Sequence, residues 1–122
     1  MSGVSILNEQ NKTIVFTDLS HLSVDDSPVV MSEAVQVISK YPLKSVLSLV
    51  DMTEMRFNKV VIARTTDIAR KNAPYVSATA IVGLNSVAKL IAKSVIRLTG
   101  RNTCLFDNLE EAKQWLLENP SE

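Results

Sequence analysis

The spacing of hydrophobic and polar residues changes several times along the chain, and each change predicts a boundary between a strand and a helix. Short apolar runs rich in β-branched and aromatic residues are typical of strands, whereas apolar residues that recur every three or four positions are typical of helices. Strands are predicted over residues 13–19, 46–50, 78–82 and 103–106. Helices are predicted over about 27–41, 57–71, 85–99 and 108–118.

This order, in which a strand is followed by a helix four times, predicts an α/β fold. We expect a single small mixed, mainly parallel sheet of four to five strands flanked by about four helices. Residues at the helix ends support these boundaries. Ser27 and Pro28 resemble a helix entry in which the hydroxyl caps, and Gly100 suits a helix C-terminus. Asn108, three residues before Glu111, resembles a capping box. The periodicity leaves the strand order undetermined.

The composition is typical of a globular protein, with 122 residues, 46% hydrophobic and 21% charged. We expect one domain over residues 1–122 with a core from about 13 to 117. The chain has 13 basic and 13 acidic side chains and hence no net field to attract a polyanion, so nucleic acid is not an expected partner. We recognise no signal peptide and no apolar run near the ~20 residues of a membrane span. The single cysteine, Cys104, favours a reducing, cytoplasmic location.

The junction between the strand 46–50 and the following helix is the first candidate binding site. The helix start offers free N–H groups, and two cations lie beside it, so a phosphate, a head group or a partner's carboxylate would suit this junction. The alternative is that the acid and the threonine only organise the turn while the cations are solvated. The candidate residues are Asp51, Thr53, Arg56, Phe57, Asn58 and Lys59.

The helix predicted over 85–99 carries the second candidate surface. Basic residues recur there at four-residue steps beside an apolar stripe expected to face the core. They suit an anionic lipid surface or an acidic partner, and the alternative is an ordinary solvated face. Membrane contact would require the helix to swing away from the sheet. The basic residues are Lys89, Lys93, Arg97 and Arg101, and the stripe is Val87, Leu90, Ile91, Val95 and Leu98.

Residues that could support catalysis or bind a metal are sparse. Asp18, Asp51 and Asp107 each follow a predicted strand and could bind a divalent ion, as in a phosphoacceptor receiver. A receiver, however, needs a lysine after a late strand, where this chain has Gly83. His21 is the only imidazole and has no nucleophile near it. We therefore predict no catalytic residue, no metal site and no cofactor.

Three segments resemble the STAS domain, the anti-sigma-factor-antagonist family, and within it the SpoIIAA-like, SEC14-like branch. They are VLSLVDMTEMRF (46–57), SATAIVGLN (77–85) and GRNTCLFDNLEEAKQWL (100–117). The resemblance covers roughly Thr13 to Leu117. It implies a small mixed sheet with packed helices, no catalysis, and binding of a protein partner or an apolar ligand.

One departure from the family pattern bears on regulation. Phosphorylatable members have Asp-Ser-Ser-Gly at the start of this helix, whereas this chain has Phe57-Asn58-Lys59-Val60-Val61. Lys59 stands at the serine position and cannot accept a phosphoryl group, so a kinase switch of that type is not expected. Thr53 and Thr65 are other hydroxyls that a kinase could modify.

Three functional hypotheses follow. The first is a non-enzymatic regulatory module that binds a protein partner. The second is a binding protein for a lipid or another small apolar ligand that makes peripheral membrane contact through a movable amphipathic helix. The third is a metal-dependent phosphoacceptor labelled at Asp51. A homodimer is compatible with each of them.

Overall fold

The computed structural model describes residues 3–99 and 102–118, and within them one mixed sheet carries helices on both faces. The predicted strands and helices are confirmed, and one further strand precedes them. The elements are β1 (Gly3–Glu9), β2 (Lys12–Asp18), α1 (Ser27–Ile38), β3 (Val46–Asp51), α2 (Lys59–Asn72), β4 (Val76–Val82), α3 (Ser86–Thr99), β5 (Thr103–Phe106) and α4 (Leu109–Glu118).

Strand β1 has no counterpart among the strands predicted from the sequence. It pairs antiparallel with β2 through a tight turn at Gln10 and Asn11, whose φ angles are 52° and 63°. Hairpin turns of this kind are usually marked by glycine, which is missing here. The strand is also an edge strand with few buried side chains, and Ile6 is 44% exposed. Its pairing with β2 therefore gave no strong signal in the sequence.

The strand order is β1-β2-β3-β4-β5, and β2 to β5 are parallel. Parallel strands are joined by right-handed crossovers, so helices that connect strands added in one direction must lie on one face of the sheet. Helices α1, α2 and α3 do share one hydrophobic cluster, through Met31, Val61 and Ala88. Helix α4 follows the last strand and covers the opposite face, where Ala112 and Leu116 are fully buried.

Helix α4 is held closely against the sheet. Leu116 packs with Ile14 and Leu47, and the Trp115 ring lies 5.6 Å from that of Phe106 between ring centres. At the other edge, Lys113 Nζ lies 2.9 Å from a Glu9 carboxylate oxygen. The hydrogen bond that Lys113 donates to the Glu9 carboxylate, together with the negative charge of that carboxylate, raises the pKa of Lys113. Strand β1 is thereby attached to α4.

On the other face the three helices differ in how closely they approach the sheet. Helix α1 packs directly on β2, with Ala34 and Ile38 against Val15 and Val46. Within the described ranges, α2 and α3 lie farther from the sheet backbone than α1 and α4 do. The space beneath them is the origin of the cavities described below. None of the described helices has the length and apolar character needed to cross a bilayer.

The helix-end prediction at Ser27 is wrong, and the one at Asn108 is confirmed. The side chain of Ser27 does not cap α1, because Ser27 is already the first helical residue and Asp26 holds the N-cap position. Ser27 Oγ is buried with no hydrogen-bond partner in the described part of the chain. Gly100 lies outside the described residues. Asn108 does cap α4, since its Oδ1 accepts a hydrogen bond from the Glu111 N–H at 2.8 Å.

Candidate functional site

The carboxyl end of β3 forms a turn that its own side chains organise. Asp51 Oδ1 accepts hydrogen bonds from the Thr53 N–H at 3.0 Å and from the Thr53 hydroxyl at 2.6 Å. The same arrangement follows β2, where Asp18 Oδ1 accepts from the N–H and hydroxyl of Ser20. These bonds satisfy backbone N–H groups where each strand ends. Of the candidate residues at this junction, Asp51 and Thr53 therefore bond to each other.

A glycine brings the β3–α2 and β4–α3 turns into direct contact. Gly83 has φ of 89°, and a Cβ atom there would lie 2.1 Å from Thr53 Oγ1 and 2.8 Å from Thr53 Cα. No other residue type fits this approach without displacing the neighbouring backbone. The two turns thus form one continuous wall at the carboxyl edge of the sheet.

The remaining junction residues are placed at the start of α2. Asn58 is the N-cap, and its Oδ1 accepts a hydrogen bond from the Val61 N–H at 2.8 Å. The Arg56 N–H donates to the Leu22 carbonyl at 3.0 Å, and the residue is exposed. Phe57 packs against a buried cluster that includes Met52 and Leu84. Lys59 is exposed on the first turn of α2, which contains no acidic residue.

An apolar cavity of about 100 Å³ lies between α2, α3 and the sheet. Its lining residues on α3 run from Ala88 to Ile96, a length of roughly 12 Å at the rise of an α-helix. Threonines are its only polar lining residues. The lining comprises Met52, Phe57, Ile62, Thr65, Ala69, Thr79, Ile81, Leu84, Ala88, Ile91, Ala92, Val95, Ile96 and Thr103.

A second cavity of about 100 Å³ continues beneath α2 toward α1. The two cavities have five lining residues in common: Met52, Thr65, Ala69, Thr79 and Ile81. Ser48, Thr79 and Thr103 lie side by side on β3, β4 and β5 and form a row of hydroxyl groups on the sheet below. The space between helices and sheet therefore extends under the whole width of α2.

A third cavity, of about 250 Å³, opens at the carboxyl edge and is polar. Glu54, Arg56 and Asn85 line it together with Gly83. Its remaining lining is Met52, Met55, Phe57, Leu84 and Ala88, and four of these five residues also line the first apolar cavity. Arg56 and Phe57 are thus the predicted junction residues that reach a cavity.

Only part of the predicted apolar stripe of α3 faces the core, because Ile91 and Val95 line the apolar cavity while Val87 and Leu90 point to solvent. Val87 is 69% exposed and Leu90 is 68% exposed, whereas Ala88 is buried and Ala92 is half-buried. The apolar arc of this helix is wider than the side that the sheet can cover, so its outer part faces solvent. Leu98 belongs to the same predicted stripe, and its side chain lies outside the described part. Contact with another surface through Val87 and Leu90 therefore needs no movement of α3.

The predicted basic face of α3 is only partly available. Lys89 Nζ lies 3.0 Å from Asp107 Oδ1, so this lysine already has an acidic partner. Lys93 and Arg97 are exposed on the next two turns. Arg101 lies outside the described residues. Lys93 and Arg97 follow Leu90 by three and seven residues, so they lie beside it on the same side of the helix.

The aspartates considered as metal ligands have other partners. Asp18 accepts hydrogen bonds from Ser20, Asp51 accepts from Thr53, and Asp107 pairs with Lys89. Across residues 3–99 and 102–118, no three His, Cys, Asp or Glu side chains are grouped so as to hold a metal ion. His21 is exposed in a turn with φ of 62°.

Periodicity did not identify the cavities, although one signal was available. Ala88 and Ala92 place two small side chains one helical turn apart on the inner face of α3. The small residues leave room between α3 and the sheet. The larger residues Val95 and Ile96 hold the C-terminal part of α3 away from the sheet. A sequence cannot show whether a neighbouring side chain fills that room.

Solved structures resemble this chain in fold. One is an uncharacterised protein of the DUF3478 family with a SpoIIAA-like fold, from Shewanella loihica PV-4. It matches with a TM-score of 0.72 at 15% identity, over 95% of this chain and 95% of its own. Another is an anti-sigma-factor antagonist (STAS) domain protein from Planctomyces limnophilus. It matches with a TM-score of 0.64 at 9% identity, over 96% of this chain and 100% of its own.

These likenesses confirm the predicted STAS/SpoIIAA-like fold. At such low identity they show the fold alone. No protein-family model and no curated protein matches the sequence. The SEC14-like branch stays a prediction.

Proposed function

We propose that this protein is a non-enzymatic binding module that takes an apolar ligand into the cavity between α2, α3 and the sheet. The apolar lining of that cavity carries the proposal. Protein interiors are packed nearly as densely as organic crystals, and voids larger than a water molecule are few. Hydrocarbon groups line almost the whole cavity, and a second cavity of equal volume adjoins it. An apolar ligand therefore suits this space better than water does.

The size of the cavity defines how a larger ligand would enter. Typical small-molecule sites measure about 300–1,000 Å³, against about 100 Å³ for this cavity. A lipid-sized ligand therefore requires α3 to move outward. This helix is less closely packed on the sheet than α4, so its displacement disrupts fewer interactions.

An apolar fluorescent probe, N-phenyl-1-naphthylamine, tests this proposal. We expect saturable binding to the wild-type protein and at least a tenfold weaker affinity in Ala92→Phe, whose ring occupies the cavity. Ala63→Phe makes the same change at an exposed position of α2 and should bind the probe normally. Circular dichroism establishes that both variants are folded. Absence of saturable binding, or equal binding by Ala92→Phe, would contradict the proposal.

The outer surface of α3 supports exchange of the ligand at an anionic membrane. Exposed Val87 and Leu90 can enter the interface while Lys93 and Arg97 meet lipid phosphates. Flotation with phosphatidylglycerol vesicles should recover the wild type but not Lys93→Glu/Arg97→Glu. Lys40→Glu/Lys44→Glu makes the same charge change at exposed positions between α1 and β3, away from α3, and should still float. Equal flotation of all three proteins would refute this role of α3.

A regulatory protein partner at the β3–α2 junction is the second candidate. Val60 is 63% exposed on the first turn of α2, beside Lys59 and with no acidic residue to offset the positive helix end. The description of the Planctomyces protein as an anti-sigma-factor antagonist supports this candidate. Affinity purification from the source organism should recover a partner that Val60→Glu loses and Ala92→Phe retains. Failure to recover any such partner would remove this candidate.

A further inference from the structure

We infer that the ligand is a single hydrocarbon chain that carries an anionic head group, and that Arg56 binds this head group in the polar cavity. The inference rests on the proposed function and narrows its ligand class. It comes from the position of the polar cavity relative to the apolar one. Neither cavity alone would suggest a ligand of two parts.

The two cavities adjoin at the carboxyl edge of the sheet. Met52, Phe57, Leu84 and Ala88 line both of them. On one side of this shared wall the lining is hydrocarbon and threonine, and on the other it includes Glu54, Arg56 and Asn85. A molecule that spans the wall therefore meets apolar surface at one end and charged groups at the other.

The shape of the apolar cavity favours one chain. It follows α3 for roughly 12 Å, from Ala88 to Ile96, yet its volume is only about 100 Å³. A long and narrow space fits an extended alkyl chain better than a ring system or two chains side by side. A chain that lies along α3 with its head at Ala88 places that head in the polar cavity.

Arg56 is the group in the polar cavity best able to bind an anion. Its backbone is anchored, because the Arg56 N–H donates to the Leu22 carbonyl at 3.0 Å, and the residue as a whole is exposed where it lines the polar cavity. A guanidinium can donate two parallel hydrogen bonds to a carboxylate or phosphate. Asn85 caps α3 with its Oδ1, which accepts from the Ala88 N–H at 2.8 Å, and its neutral amide has no net charge to attract an anion.

Glu54 lies in the same cavity and has the opposite effect. Its negative charge repels an anionic head group and weakens the attraction of Arg56. Two substitutions that each remove one charge should therefore change the affinity for an anionic chain in opposite directions. Glu54→Gln should tighten binding of an anionic chain, and Arg56→Gln should weaken it.

The experiment compares decanoate with 1-decanol, two chains of equal length, as competitors of N-phenyl-1-naphthylamine. Wild type should bind decanoate more tightly than 1-decanol. Arg56→Gln should lose roughly threefold to tenfold in decanoate affinity and keep its affinity for 1-decanol, as expected for one partly exposed charged contact. Glu54→Gln should gain roughly twofold to threefold for decanoate alone. Arg64→Gln, at an exposed position of α2 outside all three cavities, should match wild type.

The outcomes separate this inference from the proposed function. If both chains displace the probe but neither Arg56→Gln nor Glu54→Gln alters decanoate affinity, the assignment of the head group is wrong and the apolar site stands. If neither chain displaces the probe and no saturable binding is seen, the proposed function itself fails.

Discussion

Filling the space beneath α2 offers the most direct test of the cavities. Ala69 lines both apolar cavities, each of about 100 Å³. Leucine at this position adds three carbon atoms. At ~0.8 kcal/mol for each buried methylene, the gain has an upper limit of roughly 2.4 kcal/mol. The measured dependence of stability on cavity volume, ~24 cal/mol per Å³, gives about the same limit for one filled cavity.

We therefore expect Ala69→Leu to raise the free energy of unfolding by about 1–2 kcal/mol once some side-chain strain is allowed for. In a fully packed interior, the same change would lower it by ~1–3 kcal/mol. Urea and thermal unfolding followed by circular dichroism measure the difference, which corresponds to an increase in Tm of roughly 4–8 °C. Ala63→Leu on the exposed side of α2 is the control and should stay within ~0.5 kcal/mol of wild type.

Two results would refute this reasoning. A loss of 1 kcal/mol or more in Ala69→Leu, with an unchanged urea m-value, would mean that the space is already filled in solution. A stabilised variant that still binds N-phenyl-1-naphthylamine as wild type does would place the ligand elsewhere. The expected result is a more stable protein with weakened binding.

Three further predictions concern the turns and the charged pair. Gly83→Ala should lose about 3 kcal/mol or more in urea unfolding, because its Cβ would lie 2.1 Å from Thr53 Oγ1 at a φ of 89°. Gly3→Ala also places alanine at a positive φ, of 150°, but with nothing within 4 Å of the new Cβ, so it should lose less, and equal losses would contradict the turn contact. Asn58→Ala should lose about 1 kcal/mol through the missing cap of α2, and Asn58→Asp should restore most of it in thermal unfolding. If Asn58→Asp is no more stable than Asn58→Ala, the assignment of Asn58 as the cap is wrong. Glu9 raises the pKa of Lys113 above its ordinary 10.5, so the pair stabilises the fold fully below pH 10.5 and ceases to do so as pH rises through the folded-state pKa. Lys113→Met should therefore be less stable than wild type at neutral pH, with a difference that shrinks in alkaline urea titrations; a constant difference would contradict the prediction.

The comparison of sequence and structure separates local from long-range effects. The elements from β2 to α4 follow from periodicity, because the side-chain repeat along the chain determines which face each element can bury. The cap at Asn108 follows from its position three residues before Glu111. These interactions lie within one segment, so one sequence contains all the information they need.

Features that join distant segments were not accessible in this way. The pairing of β1 with β2, the contact of Gly83 with Thr53 and the side on which α4 packs all depend on how the sheet is assembled. Arg56 was singled out for its place at a helix start, but the sequence did not indicate the polar cavity that it lines with Asn85.

The sequence by itself therefore determined the order of strands and helices from β2 to α4 and the amphipathic character of α3. Only the tertiary structure decided that Val87 and Leu90 face solvent and that space remains beneath α2 and α3. The reason is physical: a repeat in the sequence specifies which side of a helix is apolar. How much of that side is covered depends on the distance between the helix and the sheet. Side chains from α2, α3 and the sheet determine that distance together.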